Sequence, residues 1–295
     1  MKSAESSGTG ESVSRMAGLR ARFHAGLLSN GVITATDGTV SIADSSSLSS
    51  KKVAQHLCSL LGLVSTTGKK GAGQTAGHGF EGAVREFVEE AFALLDPVRP
   101  GTWRVATSAS EGIAAFEQFE HLAAIDKFCK TNVELRAFLG SGYVIRPDIV
   151  MSRLPLSDAE LNARDPVVHG DDVALLTSLR AVNNSEPLLH ASISCKLTLR
   201  TDRAQNARTE ALNLIRNRKG RVPHICVVTA EPMPNRLASL ALGTGDIDCV
   251  YHVALPELRA AIAAVGSDDM LESLDTMREG KRLKDIADLP FDLAI

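Results

Sequence analysis

Residues 188–229 read LLHASISCKLTLRTDRAQNARTEALNLIRNRKGRVPHICVVT, and the fold is decided there. Leu188 to Leu199 is a short apolar run bounded by polar residues, which predicts a strand. Arg203 to Arg218 reads as a helix. Val222 to Thr229 is a second apolar run. Strands alternating with helices argue for a mixed or parallel sheet flanked by helices.

The alternation continues downstream. Asn235 to Leu242 reads as a helix, Ile247 to Val253 as a strand, and residues from Pro256 onward as helices. Upstream, Tyr143 to Met151 and Trp103 to Thr107 read as strands, and Phe116 to Lys130 and Val133 to Leu139 as helices. Helices are also expected over Met16–Leu28, Ser50–Leu63 and Phe80–Leu95. Phe80, Val84, Phe87, Val88 and Ala91 give the last of these one buried face. Residues 29–48 read as loop with short strands, 68–79 as a Gly-rich loop, and 155–187 as a polar surface excursion. The fold class is therefore α/β, a mixed sheet flanked by helices. The division expected is a disordered tail over 1–14 and one domain over 15–295.

Composition limits the function. Hydrophobic residues make up 44% of the 295, enough for a sizeable core, and only 4% are aromatic. A net charge of −3 argues against a general polyanion binder, so contact with nucleic acid needs a local basic patch. The five cysteines are odd in number and form no C-x-x-C pair, which disfavours disulfides and zinc knuckles. A reducing, cytoplasmic setting is expected. No apolar run reaches the ~18 residues of a membrane span, and the start of the chain lacks a signal-peptide core. Gly62 to Lys70 has one residue too many for a phosphate-binding P-loop, and Gly71-x-Gly73-x-x-x-Gly77 misses the dinucleotide fingerprint.

Asp148, Ser194, Lys196 and Glu210 are the candidate chemical set. Alternation along a strand puts Ser194 and Lys196 on one face and Cys195 on the other. If the Asp148 strand lies alongside, a carboxylate and an ammonium meet at one sheet edge, and Glu210 turns back toward them from the next helix. Carboxylates hold hard divalent cations, and a lysine stabilises a reacting phosphate. Proline–aspartate pairs and edge-strand lysines are also common without catalysis, so spacing alone leaves both readings open. Residues 196–221 add eight basic side chains against Asp202 and Glu210, a net of +6. Arg200, Asp202 and Arg203 stand at a strand-to-helix junction, where arginine can pair with guanine and aspartate with the cytosine amino group. Helix capping by Asp202 is the competing reading.

The run His190 to Lys196, then Arg200 to Glu210, Asn213 and Arg216 to Gly220, resembles the NgoMIV restriction endonuclease family. So do Pro223-His224, Thr229 to Pro232, Ala241 to Gly245, Cys249 to His252, Gly280 to Asp285, Gly73 to Thr75, Phe80-Glu81 and Pro147 to Ile149. The resemblance spans about residues 18–295 and is densest in the last 110. It implies a PD-(D/E)xK nuclease core, cleavage of double-stranded DNA at GCCGGC to leave a 5′ CCGG overhang, and a homotetramer of two dimers engaging two sites. It implies Mg²⁺, two ions per site, surrounded by Asp148, Cys195 through its backbone carbonyl, and Glu210. Lys196 is then the catalytic lysine and Glu81 an auxiliary acid. Ser194 stands where the superfamily has its second acid, and Glu210 supplies that charge from a displaced position. Arg200, Asp202 and Arg203 carry over as readers of CCGG, and Asp44, Ser46, Gln74 and Arg236 as readers of the outer G·C pair. A methyltransferase partner and a bacterial cytoplasm are implied too. A repair nuclease on the same core and a DNA-binding protein with a decayed site remain alternatives.

Overall fold

The computed structural model describes residues 14–36, 38–62, 73–107, 112–139, 145–243 and 245–295. In chain order it contains α1 (Arg15–Ser29), β1 (Ala35–Thr36), β2 (Thr39–Val40), α2 (Leu48–Leu60), α3 (Gly73–Ala93), β3 (Trp103–Thr107), α4 (His121–Thr131), α5 (Val133–Leu139), β4 (Ile149–Arg153) and α6 (Asp158–Leu161). The second half contains β5 (Leu188–Lys196), α7 (Thr201–Asn217), β6 (His224–Thr229), α8 (Pro234–Ala241), β7 (Cys249–His252), α9 (Leu255–Val265), α10 (Asp268–Glu279), β8 (Leu283–Asp285) and α11 (Leu289–Leu293).

Strands β3 to β8 form one six-stranded sheet in that order. β4 runs antiparallel to both β3 and β5, whereas β5, β6, β7 and β8 are mutually parallel. β5 is central and buried along nearly its whole length, which is why it reads as an apolar run without clean alternation. Helices flank the sheet: α3 packs on β3 and β5, α1 on α3, and α2 on α9. One apolar cluster extends from Leu19 to Leu293. The described cysteines are buried and unpaired. Among the described residues no helix is long and apolar enough to cross a membrane.

Several sequence expectations are corrected. β4 begins at Ile149, so Asp148 stands just before the strand; Tyr143 lies outside the described residues. Pro147, which has no N–H for the ladder, precedes that start. The expected helix over 116–130 is one 3₁₀ turn, Glu117–Phe119, followed by α4, with a second 3₁₀ turn, Ile113–Ala115, just before it. There the Gln118 amide accepts from the Leu189 N–H at 2.9 Å and donates to the Leu189 carbonyl at 2.8 Å, tying the segment to β5. α3 starts at Gly73 rather than Phe80, so residues 73–79 are helical. Gly79 permits close approach, since a Cβ there would stand 3.1 Å from Val32. β8 is absent from the strands expected, because three residues carry no readable period. The 155–187 excursion is anchored by Arg180, which is 1% exposed and pairs with both oxygens of Asp158 at 2.7 Å. The P-loop-like residues 63–70 and, but for Ser14, the expected tail lie outside the described residues. Ser14 caps α1.

Candidate active site

The antiparallel pairing of β4 with β5 sets Ile149 opposite Ile193 and brings Asp148 to the carboxyl end of β5. Asp148 Oδ2 accepts from Lys196 Nζ at 2.6 Å, from the Cys195 N–H at 2.6 Å and from Ser194 Oγ at 3.3 Å. Lys196 and Asp148 keep about a fifth of their side-chain surface exposed, so the pair is held firmly yet open to a ligand. The Cys195 thiol is buried, and burial pushes its pKa well above the ordinary value. Cys195 therefore meets the site through its backbone.

Glu210 reaches the same place from α7. Its helical stripe includes Ala207 and Leu214, both buried, so packing of α7 turns the carboxylate inward. One oxygen interacts with the Ser194 hydroxyl, while Oε1 is enclosed without a partner. Burial, then the charge of Asp148, raises Glu210 to about 7. Glu81, half-buried on α3, faces Asp148 across a cavity of about 1030 Å³ that also takes in His78, Asp126 and Arg146. Three carboxylates against one close ammonium, with an enclosed carboxylate oxygen unsatisfied, form a hard-oxygen set that fits a divalent cation. Among the described residues no three such side chains are already gathered as a ligand shell; Asp148 is turned toward Lys196 instead.

A second cleft, about 710 Å³, opens beside Lys196 and takes in Arg200, Arg203 and Asn206 together with Thr34 and Ser41. Arg200 is the N-cap residue of α7 and makes no side-chain cap bond. Asp202 is one position inside the helix and exposed, so the capping reading of Asp202 fails. Arg203 donates to Thr198 Oγ1 at 3.0 Å and its carbonyl at 3.3 Å. Within the basic run, Arg208 is committed to structure. It pairs with Asp246 at 2.8 Å and donates to the Ser239 carbonyl at 2.9 Å, and a side chain at Gly243 would strike it.

Asp44, Ser46 and Arg236 meet along a third cleft that also includes Arg200 and Asn235. Asp44 Oδ1 accepts from the Ser46 hydroxyl at 2.6 Å and its N–H at 2.9 Å, and Oδ2 is ion-paired to Arg236. The Ser46 bonds first, then Arg236, hold Asp44 down at about 2. Gln74 lies in the first turn of α3, and its side chain is outside the described residues.

Sequence reasoning assigns no role to Glu231, His78 or Arg146. Glu231 is completely buried and accepts from the N–H of Leu199 at 2.8 Å and of Met233 at 3.1 Å. Its Oε2 is 3.8 Å from Arg236. It thus fastens the backbone just before Arg200 to the start of α8, which carries Arg236. A glutamate inside a Thr-Ala-Glu-Pro turn gives no periodic signal of burial.

Burial raises Glu231 to about 7, against the opposing pull of its hydrogen bonds and Arg236. The folded state then holds this proton more tightly than the unfolded chain. Its contribution is full below pH 4.5, the ordinary value, and is lost as pH rises toward 7. The loss is up to ~3 kcal/mol by linkage. Glu231→Gln should flatten that part of the profile, as read by urea unfolding between about pH 5 and 8. Parallel profiles for both proteins would contradict the assignment.

The family model described as NgoMIV restriction enzyme matches residues 23–295. The chain is 49% identical over 277 residues to the Type II restriction enzyme NgoMIV of Neisseria gonorrhoeae, covering 92% of this chain and 96% of that protein. The paired Asp148 and Lys196, the inward Glu210 and the arginine-lined clefts beside them thus lie within a match extending over most of both proteins. This chain belongs to the NgoMIV restriction enzyme family and is a restriction endonuclease, a hydrolase that cuts DNA at specific sites.

Proposed function

We propose that the protein cuts double-stranded DNA at GCCGGC after the first G, leaving a 5′ CCGG overhang, with Mg²⁺ as cofactor. The observation that carries the catalytic part is the convergence of Lys196, Asp148 and Glu210 at the end of β5, next to the arginine-lined cleft at the start of α7. The base sequence itself rests on the family resemblance.

Asp148, Glu210 and the Cys195 carbonyl would hold the cation, two ions per site, with Glu81 nearby. A divalent cation bound there supplies charge neutralisation and acidification of water. Lys196 supplies a positive charge at the phosphate, and Ser194 holds Asp148 and Glu210 in place through its hydroxyl. Arg200, Asp202 and Arg203 read the CCGG centre; Asp44, Ser46, Gln74 and Arg236 read the outer G·C pair. Residues 15–295 act as one endonuclease unit. The protein works in the bacterial cytoplasm beside a methyltransferase that protects host sites.

A supercoiled-plasmid digest with and without Mg²⁺, followed by end mapping, tests this reading. Discrete fragments with 5′ CCGG ends are expected. Structure-dependent nicking would favour a repair nuclease, and no cutting a decayed binding protein.

The assembly is proposed to be a homotetramer of two dimers. The excursion supports a large interface: Val167, Val173, Leu175, Leu176 and Val182 are all exposed there, and clustered exposed apolar side chains mark contact surfaces. Sedimentation should give about four times the 31.4 kDa chain mass. Leu175→Asp with Leu176→Asp should lower that mass without unfolding. A fully active wild-type monomer would contradict the tetramer.

A further inference from the structure

At the end of the sheet opposite Lys196, the first residue of β3, the last of β4 and the first residues of β5 border a cavity of about 390 Å³. Six residue steps along β5 separate His190 there from Lys196, roughly 20 Å at strand rise. The cleavage chemistry does not use this cavity.

Its lining is strongly cationic. Arg99, Arg153 and Arg221 border it with Trp103 and His190, and Glu117 is the one acidic side chain in the lining. Glu117 is engaged by the Ser178 hydroxyl at 2.7 Å. Arg99 and Arg153 both lie against the Trp103 ring, 5.6 and 5.5 Å from its centroid. Stacking brings the two like charges together rather than letting them spread into solvent. Arg153 loses proton affinity through burial and through the charge of Arg99. The Nε atoms of both arginines are enclosed without a partner, as is His224 Nε2 beside the cavity. The His224 ring packs on His190 at 5.1 Å. Several guanidinium donors in a confined space, with enclosed N–H groups unsatisfied, are suited to a tetrahedral oxyanion, since arginine forks match phosphate geometry.

We propose that this cavity binds a small phosphate-bearing ligand, inorganic phosphate or the terminal phosphate of a mononucleotide, at a site separate from the cleavage centre. Arg99 and Arg221 supply the charge, and Arg153 contributes from the floor beside Trp103.

The chain has one tryptophan, Trp103, so its fluorescence reports on this cavity and not on the active site. The full-length protein is titrated with sodium phosphate against sodium chloride at equal ionic strength, following Trp103 emission. A saturable change with phosphate alone is expected. Arg221→Ala, which removes an exposed side chain and leaves the core intact, should weaken the response about tenfold, the scale of one charge-assisted bond. Arg99→Ala with Arg221→Ala should remove it, and Lys196→Ala should leave it unchanged. Plasmid cleavage without added phosphate should be normal in Arg221→Ala. No saturable change, an equal response in the double variant, or a response to a non-cognate duplex but not to free phosphate would each overturn the proposal.

Discussion

Lys196→Ala should bind its specific duplex in Ca²⁺ and leave it uncut in Mg²⁺. Lys196 is fixed 2.6 Å from Asp148 at the carboxyl end of β5, whereas Arg203 and its neighbours occupy the start of α7. On the proposed assignment, cutting and reading are carried by different residues on adjacent elements. Removing one preorganised charge donor from a hydrolytic site typically costs on the order of 10²–10³ in rate. The loss should be larger here, because the substitution also leaves Asp148 and Glu210 without the nearby ammonium that offsets their charges. Single-turnover cleavage measures the rate, and gel retardation with Ca²⁺ measures binding. Cutting within tenfold of wild type would remove Lys196 from the chemistry. Loss of binding together with cutting would mean that the ammonium mainly holds the fold around Asp148.

Arg203→Ala should lose sequence discrimination rather than general DNA affinity. Arg203 is exposed in the cleft next to Lys196, held by Thr198 at 3.0 Å rather than by an acidic partner. Its guanidinium is therefore free of the ion pairing that commits Arg208. A bidentate arginine–guanine contact gives ~1–3 kcal/mol of discrimination. In a symmetric site the loss counts twice, so specific binding should fall by ~2–6 kcal/mol if the halves are additive. An arginine that touched only phosphate would weaken binding to every sequence and lower the salt slope by ~1. The measurement is the affinity ratio of a CCGG-centred duplex to a scrambled one, at fixed salt with Ca²⁺. An unchanged ratio would show that Arg203 positions the backbone and reads nothing.

Ser194, Lys196 and Glu210 are legible in the sequence as candidates, and for a local reason. Alternation along a strand sets Ser194 and Lys196 on one face, and helical spacing sets Glu210 in line with Ala207 and Leu214; both follow from backbone geometry over a few residues. The strand–helix–strand succession of 188–229 and the mixed α/β class are legible in the same way. Asp202 is ambiguous in the sequence because an aspartate near a helix start is either a cap or a free acid. The distinction depends on where the first turn closes, which the placement of Arg200 at the N-cap decides.

By itself, the sequence determined the mixed α/β class and the strand–helix–strand succession of 188–229, and it named the candidate residues Asp148, Lys196 and Glu210. Only tertiary structure decided that β4 lies against β5, which carries Asp148 across a separation of 48 residues to Lys196. It also decided that α3 begins at Gly73, that residues 283–285 form a strand, and that Glu231 is buried between the segments carrying Arg200 and Arg236. These features follow from packing. Closing a long loop or enclosing a carboxylate is settled by the apolar area and hydrogen bonds gained when distant segments meet, and no period within the segment records that gain.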